Sequence, residues 1–389
     1  MIFTAFLPAM AAAICLMLAA HPFMTYPLTL RMLARLRPRP VVAGAGHIVP
    51  RVAVCVCAYN EEPVIDQRVR NILAMRGRLP ALEILVYVDG ATDGTARILH
   101  GFGNSITCVV SAARMGKTHG MNTLVGMARA DILVFTDANV AFAPDAVERL
   151  IAPFADPAVG CVCGHLRYAA GEGGTAATGS LYWRLEEHIK ALESATGSVM
   201  GADGSIFAIR RALHVAPPAD LIDDMYVSLS VLCRGARVVR AADAYAYEAS
   251  VSTPQEEFQR KIRIACQAFN VHRALWPSLR RLPGVELYKY ISHKLLRWFC
   301  IYLLMAAALL CAVALLVAGA AKILAAFVLL AAAIGATCGL AHHGPAARLR
   351  DVLAAIAATG LGVAQSIRGE RFQIWTPPAS ARSLPGSGT

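Results

Sequence analysis

Apolar and polar positions are unevenly spread along the 389-residue chain. No charged residue occurs from Met1 to Leu30, and Phe3–Ala20 alone approaches the roughly 20 apolar residues that cross a bilayer. Near the other end, Phe299–Ala321 is uncharged, Lys322 interrupts, and Ile323–Ala341 is uncharged again. This pattern predicts two further spans joined by a tight turn. Val352–Ile367 is shorter and richer in Gly, Thr and Ala, and fits either a third C-terminal membrane helix or an interfacial or re-entrant one. Met1 is followed by no Lys or Arg before Arg31, which argues against a cleaved signal peptide.

Between Arg51 and about Val285 the period changes. Short β-branched runs at Val52–Ala58, Glu83–Val88, Ile106–Val110, Asp131–Thr136 and Val159–Cys163 alternate with helix-like stretches. This alternation predicts an α/β domain with a mostly parallel sheet and helices on both faces. Pro63 is expected in the first turn of the helix after the first strand.

Polar residues gather where these strands end. Ala58-Tyr59-Asn60-Glu61 follows the first strand and Asp89 through Thr95 the second. Arg114-Met115-Gly116-Lys117 follows the third, and Asp137-Ala138-Asn139 the fourth. Open α/β sheets bind ligands at this carboxyl edge. One acidic turn would be punctuation; four on one edge point to a site. Asp89 suits a nucleobase or ribose donor, whereas Asp93 suits either a ligand or a helix cap. Asp137 and Asn139 offer oxygen to a hard divalent cation, Mg²⁺ or Mn²⁺, which would bridge a diphosphate. Lys117 suits the phosphates or a solvated helix start. Neither a P-loop nor a Gly-x-Gly-x-x-Gly turn is present, which speaks against an ATPase or a dehydrogenase.

Composition refines the picture. The chain is 57% apolar and only 16% charged, with a formal net charge of +11. Its basic residues cluster at Arg31–Arg39 and Lys289–Arg297, beside apolar stretches, as membrane flanks do. Membrane lipids are therefore expected as partners and nucleic acid is not. The positive-inside rule places the central domain on the cytoplasmic face of the inner membrane. The eleven cysteines lack metal spacing, and Cys55/Cys57 and Cys161/Cys163 read as one-sided core positions in strands.

In order, these motifs resemble those of the family 2 glycosyltransferases over roughly Arg51–Arg273. Ala58-Tyr59-Asn60-Glu61 and Asp89–Thr95 resemble the nucleotide-binding stretches, and Gly116-Lys117 with Met121-Asn122 the Gly-Lys…Leu-Asn element. Thr136-Asp137-Ala138-Asn139 is similar to the metal-binding Asp-x-Asp. Gly201-Ala202-Asp203-Gly204 with Phe207–Arg211 resembles the acceptor-side stretch, and Asp223-Asp224 the late acidic pair.

The resemblance implies a GT-A fold and a nucleotide diphosphate sugar as donor, expected to be a UDP-sugar. It implies inversion with Asp224 as catalytic base, ahead of Asp223. It also places Asp203, Gly204, Arg260 and Arg263 on the diphosphate or acceptor side. The expected acceptor is lipid-linked or a glycolipid, in cell-envelope glycan or exopolysaccharide synthesis. Two departures stand out: Asn139 replaces the second Asp, and Ile264 stands where processive synthases carry an aromatic. A processive polysaccharide synthase and a silent membrane scaffold remain the alternatives.

The expected plan is a membrane segment at 1–30, a basic linker at 31–50 and a cytoplasmic catalytic domain at 51–285. A basic interfacial segment at 286–298, two spans at 299–341, a helix at 350–368 and a tail at 369–389 follow.

Overall fold

The computed structural model describes residues 2–42, 50–169, 176–249, 254–341 and 344–374. Eight strands form one mixed sheet in the order β3-β2-β1-β4-β7-β6-β8-β5. They are β1 (Val52–Ala58), β2 (Glu83–Asp89), β3 (Thr107–Ser111), β4 (Ile132–Asp137), β5 (Val140–Phe142), β6 (Val159–Ala169), β7 (Phe207–Arg210) and β8 (Arg237–Ala249). β3, β2, β1 and β4 are all parallel neighbours, so their carboxyl ends share one edge. β7 then runs antiparallel between β4 and β6.

Both faces of the central strands are covered, which is why these strands read as nearly unbroken apolar runs. The side chains still alternate. Val52, Val54 and Val56 enter one core layer with Ile84, Val86 and Val134, while Ala53 and Cys55 enter the other with Leu85, Phe135, Cys161 and Cys163. The helix Ile65–Leu73 buries Ile65, Val69 and Ile72 at helical spacing. Pro63 lies in the turn before that helix rather than in its first turn. The Glu61 carbonyl accepts the N–H groups of Val64 and Ile65, and the helix begins at Ile65.

Among the described residues, Cys300–Val317 and Ala321–Leu340 are long and apolar enough to cross a membrane. Gly319, at φ +72°, turns the chain between them. The helix Ile2–Ala20 packs along Cys300–Val317. At its end the chain bends by 58° into Thr25–Leu36. The stretch expected to begin a linker at Arg31 is thus helical through Leu36, and Tyr26 and Leu30 bury against Ile189 of the helix Ala176–Ala195.

The expected basic interfacial segment is also largely internal. Lys289 has no exposed side chain and donates to Glu286 and to the carbonyls of Glu193 and Ser198. Its charge serves a buried network rather than a lipid surface. Helix Gly344–Ile367 is not among the helices long and apolar enough to cross. It lies against helix Pro254–Leu279, and a Cβ on Gly362 would stand 2.8 Å from the Cys266 nitrogen.

Candidate active site

A cleft of about 1250 Å³ opens over the carboxyl edge of β1, β2 and β4. It gathers Tyr59, Glu61, Asp89, Lys117, Asp137 and Asn139 from the strand ends, Asp203, Gly204, Asp223 and Asp224 from later segments, and Arg260 and Arg263 from helix Pro254–Leu279.

Two expected contacts stay outside it. Ala58 is buried at 1% exposure as a core residue. Asn60, in the left-handed region at φ 51°, accepts the Thr92 N–H at 2.8 Å and so ties the first polar turn to the second. Asp93 likewise serves structure. Its carboxylate accepts the N–H of Thr95 at 3.0 Å and of Glu62 at 3.1 Å. Asp89 does line the cleft, yet its carboxylate accepts the N–H groups of Met115 at 2.6 Å and Gly116 at 3.1 Å, fixing the loop that carries Lys117.

The acidic turn after β4 is braced from below. Buried Arg68 donates to the Thr136 hydroxyl at 2.8 Å, and that hydroxyl donates to the Ser205 carbonyl at 2.9 Å. At its tip, Lys117 Nζ lies 2.7 Å from Asp137 Oδ1 and 3.9 Å from Asp223 Oδ1. Burial pushes the ammonium down, but the carboxylates of Asp137, Asp223 and Asp224 outweigh it and hold Lys117 above the ordinary lysine value. One lysine therefore joins the early motif to the late acidic pair.

Asp223 and Asp224 open the helix Asp223–Cys233. Asp223 is 4% exposed, and its Oδ2 has no hydrogen-bond partner among the described residues. Asp224 accepts the Met225 N–H at 2.5 Å. Burial and the Asp223 charge, partly offset by Lys117, push Asp224 up to about 7. A carboxylate titrating near neutrality suits a general base. A Cβ on Gly204 would stand 2.6 Å from Asp224 Oδ2 and so would displace that carboxylate.

Asn139 donates to Glu248 Oε1 at 3.2 Å. Glu248 had no place in the motif reading; antiparallel pairing of β5 with β8 sets it opposite Val140. Burial, and then the Asp137 carboxylate, push Glu248 up to about 7. Asp137, Asn139 and Glu248 are all oxygen donors, as a hard cation requires. Among the described residues no group of three or more His, Cys, Asp or Glu side chains is placed to hold a metal ion.

Arg263 donates to Gln267 at 3.2 Å, and burial together with the Arg260 charge pulls it down to about 10. Arg260 pairs with Glu257 at 2.9 Å, and Asp203 with Lys190 at 2.9 Å. Arg114, from the third polar turn, stacks 3.5 Å above the Tyr59 ring centroid, and Lys294, Arg297, Phe372 and Gln373, which no motif picked out, line the walls.

Comparison with known proteins agrees with this geometry. A mannosyltransferase from Pyrobaculum calidifontis, solved with GDP-Man and Mn²⁺, superposes with a TM-score of 0.73 at 22% identity, covering 93% of this chain and 99% of that one. The fold is thus that of the GT-A class. The model for "Glycosyltransferase like family 2" matches residues 50–267, more than half the chain. The chain belongs to glycosyltransferase family 2. An N-acetylglucosaminyltransferase from Rhizobium leguminosarum bv. viciae is 24% identical over 259 residues, covering 62% of this chain and 60% of the relative. A beta-monoglucosyldiacylglycerol synthase from Synechocystis sp. is 27% identical over 130 residues, 32% of this chain and 27% of that one. The chain thus spans under two thirds of the length of these curated relatives.

Proposed function

We propose that the protein is an inverting transferase. It moves one sugar from a nucleotide diphosphate sugar, a UDP-sugar in this reading, to a hydroxyl of a lipid-linked or glycolipid acceptor at the cytoplasmic face of the inner membrane. The observation that carries this is the Lys117 bridge between Asp137 and Asp223, which puts a donor-side motif and a candidate base in one cleft. The two apolar helices and the diacylglycerol-modifying relative support a membrane acceptor.

In this mechanism the acceptor hydroxyl lies at Asp224 and attacks the anomeric carbon. Asp224 takes its proton while the bond from that carbon to the diphosphate oxygen breaks on the opposite face, inverting the configuration. Lys117 and Arg263 hold the departing diphosphate through charge-assisted hydrogen bonds. Asp137 and Asn139 would hold a Mg²⁺ or Mn²⁺ ion, which would supply further neutralisation of the leaving group. Ile264 lines the cleft where an aromatic platform for a growing chain would stand, which favours single transfer over processive synthesis.

The test is transfer from a panel of radiolabelled nucleotide sugars by the purified full chain, with and without Mn²⁺. Asp137→Asn and Asp224→Asn should each abolish transfer while leaving the fold intact. Full activity in both variants would remove the assignment, and wild-type transfer of many sugars per acceptor would replace it with processive synthesis.

A further inference from the structure

Resting on the transferase reading, we propose that the membrane-side arm of the cleft holds an acceptor lipid through a phosphate bound at Lys294. The lipid's hydroxyl-bearing head then reaches Asp224 and its hydrocarbon runs toward the spans.

Lys294 lies in a single π-helical turn, Ile291–Leu295, directly before the first C-terminal span. It lines the cleft, and its Nζ would stand 3.9 Å from a Cβ on Gly201, on the same glycine-bounded turn whose Gly204 abuts Asp224. The other cations around this arm are already matched. Arg297 pairs with Glu186, Lys190 with Glu187 and Asp203, Lys289 with Glu286, and Arg350 with Asp351.

The nearest carboxylates are committed elsewhere too. Glu186 binds His293 and Arg297, while Glu193 binds His293, the Tyr26 hydroxyl and the Met200 N–H. Lys294 itself makes no hydrogen bond or ion pair among the described residues. Glu186 and Glu193 act on the Lys294 ammonium through space, but both already bind His293, and Glu186 also Arg297, so a bound phosphate would supply the direct ion pair that Lys294 lacks among the described residues.

The same cleft has an apolar wall of Phe23, Trp298, Val352, Ala355 and Ile356, interrupted by the Arg350–Asp351 pair. These come from the bend between the two N-terminal helices, the approach to the first span and helix Gly344–Ile367. One cleft thus holds the base, a cation and an apolar wall. The matching ligand carries hydroxyl, phosphate and hydrocarbon. A soluble sugar phosphate would leave the wall without a partner, and a neutral glycolipid would make no direct ion pair with Lys294.

The probes are dioctanoyl phosphatidylglycerol, which has all three features, dioctanoylglycerol, which lacks the phosphate, and glycerol 3-phosphate, which lacks the tails. Binding to the full chain in maltoside micelles is measured without donor. Phosphatidylglycerol should bind at least about 10-fold more tightly than either, as one charge-assisted hydrogen bond allows. Lys294→Met should erase the preference over dioctanoylglycerol, and Lys294→Arg should keep it. Equal affinity for dioctanoylglycerol in wild type, or an unchanged preference in Lys294→Met, would overturn the proposal. Mn²⁺-dependent UDP or GDP binding, measured in the same preparations, should match in all three proteins. Its absence from wild type would count against the transferase reading while leaving the lipid result standing.

Discussion

Lys117 Nζ sits 2.7 Å from Asp137 Oδ1 although the two residues belong to different polar turns of the sheet edge. The Asp89 carboxylate makes this possible by gripping the Met115 and Gly116 N–H groups and so aiming the next residue inward. A cation held there meets the donor diphosphate as soon as it docks. Lys117→Met should weaken nucleotide diphosphate binding by roughly 10- to 100-fold, the range of one charged hydrogen bond. Calorimetry with UDP and GDP measures this, and unchanged affinity would detach Lys117 from the phosphates.

Asp224, pushed up to about 7, should give transfer a rising acidic limb. Below that value each pH unit removes about tenfold of the ionised base. Stability runs the other way. The native carboxyl binds its proton more tightly than an unfolded aspartate near 3.9, so its contribution to stability falls as pH rises from about 4 to 7. Asp224→Asn should therefore abolish transfer yet melt higher than wild type at pH ~8, by at most a few kcal/mol, and match it near pH ~4. A flat pH–rate profile in wild type would argue against Asp224 as base.

Asn139 and Glu248 face each other at 3.2 Å as amide and carboxylate. Asn139→Asp would set two half-buried carboxylates together beside Asp137. Without a divalent ion the variant should lose on the order of 1–3 kcal/mol through like-charge repulsion, and Mn²⁺ should restore more stability to it than to wild type. Thermal melts with and without Mn²⁺ decide the point, and an identical Mn²⁺ effect on both proteins would place the ion away from this turn.

The sequence showed the parallel half of the sheet clearly, because strands buried on both faces leave apolar runs and their chemistry falls at the ends. The antiparallel half was hidden. β5 and β7 are only three and four residues long, and β8 mixes charged with aromatic residues, so Glu248 reached the cleft through strand pairing rather than a motif. The run Lys289–Arg297 was misleading for a different reason. A basic stretch beside an apolar span looks the same whether it meets headgroups or, as Lys289 and Arg297 do, internal carboxylates. Only partners distant in sequence, such as Glu186, distinguish the two. Asp93 and Asn60 had the right composition for ligand contacts, but local backbone N–H groups claim them.

The chain beyond helix Gly344–Ile367 is expected to matter for donor binding. Gln267 donates to the Phe372 carbonyl at 2.8 Å, and Gln373 donates to the Met115 carbonyl at 3.1 Å. The Gln373 carbonyl also lies against the Cα of Gly116, whose φ of +92° already favours glycine. Residues 370–373 thus strap the loop that carries Lys117 to the helix that carries Arg263. Truncation after Gly369 should release this loop, raising the donor KM several-fold with little change in kcat for a saturating donor, since Asp224 is untouched. Gly116→Ala, which both strains the backbone and collides with the strap, should move the donor KM in the same direction. Steady-state kinetics with one labelled donor distinguishes the outcomes: an unchanged KM in both variants would show that the strap does not hold the donor loop.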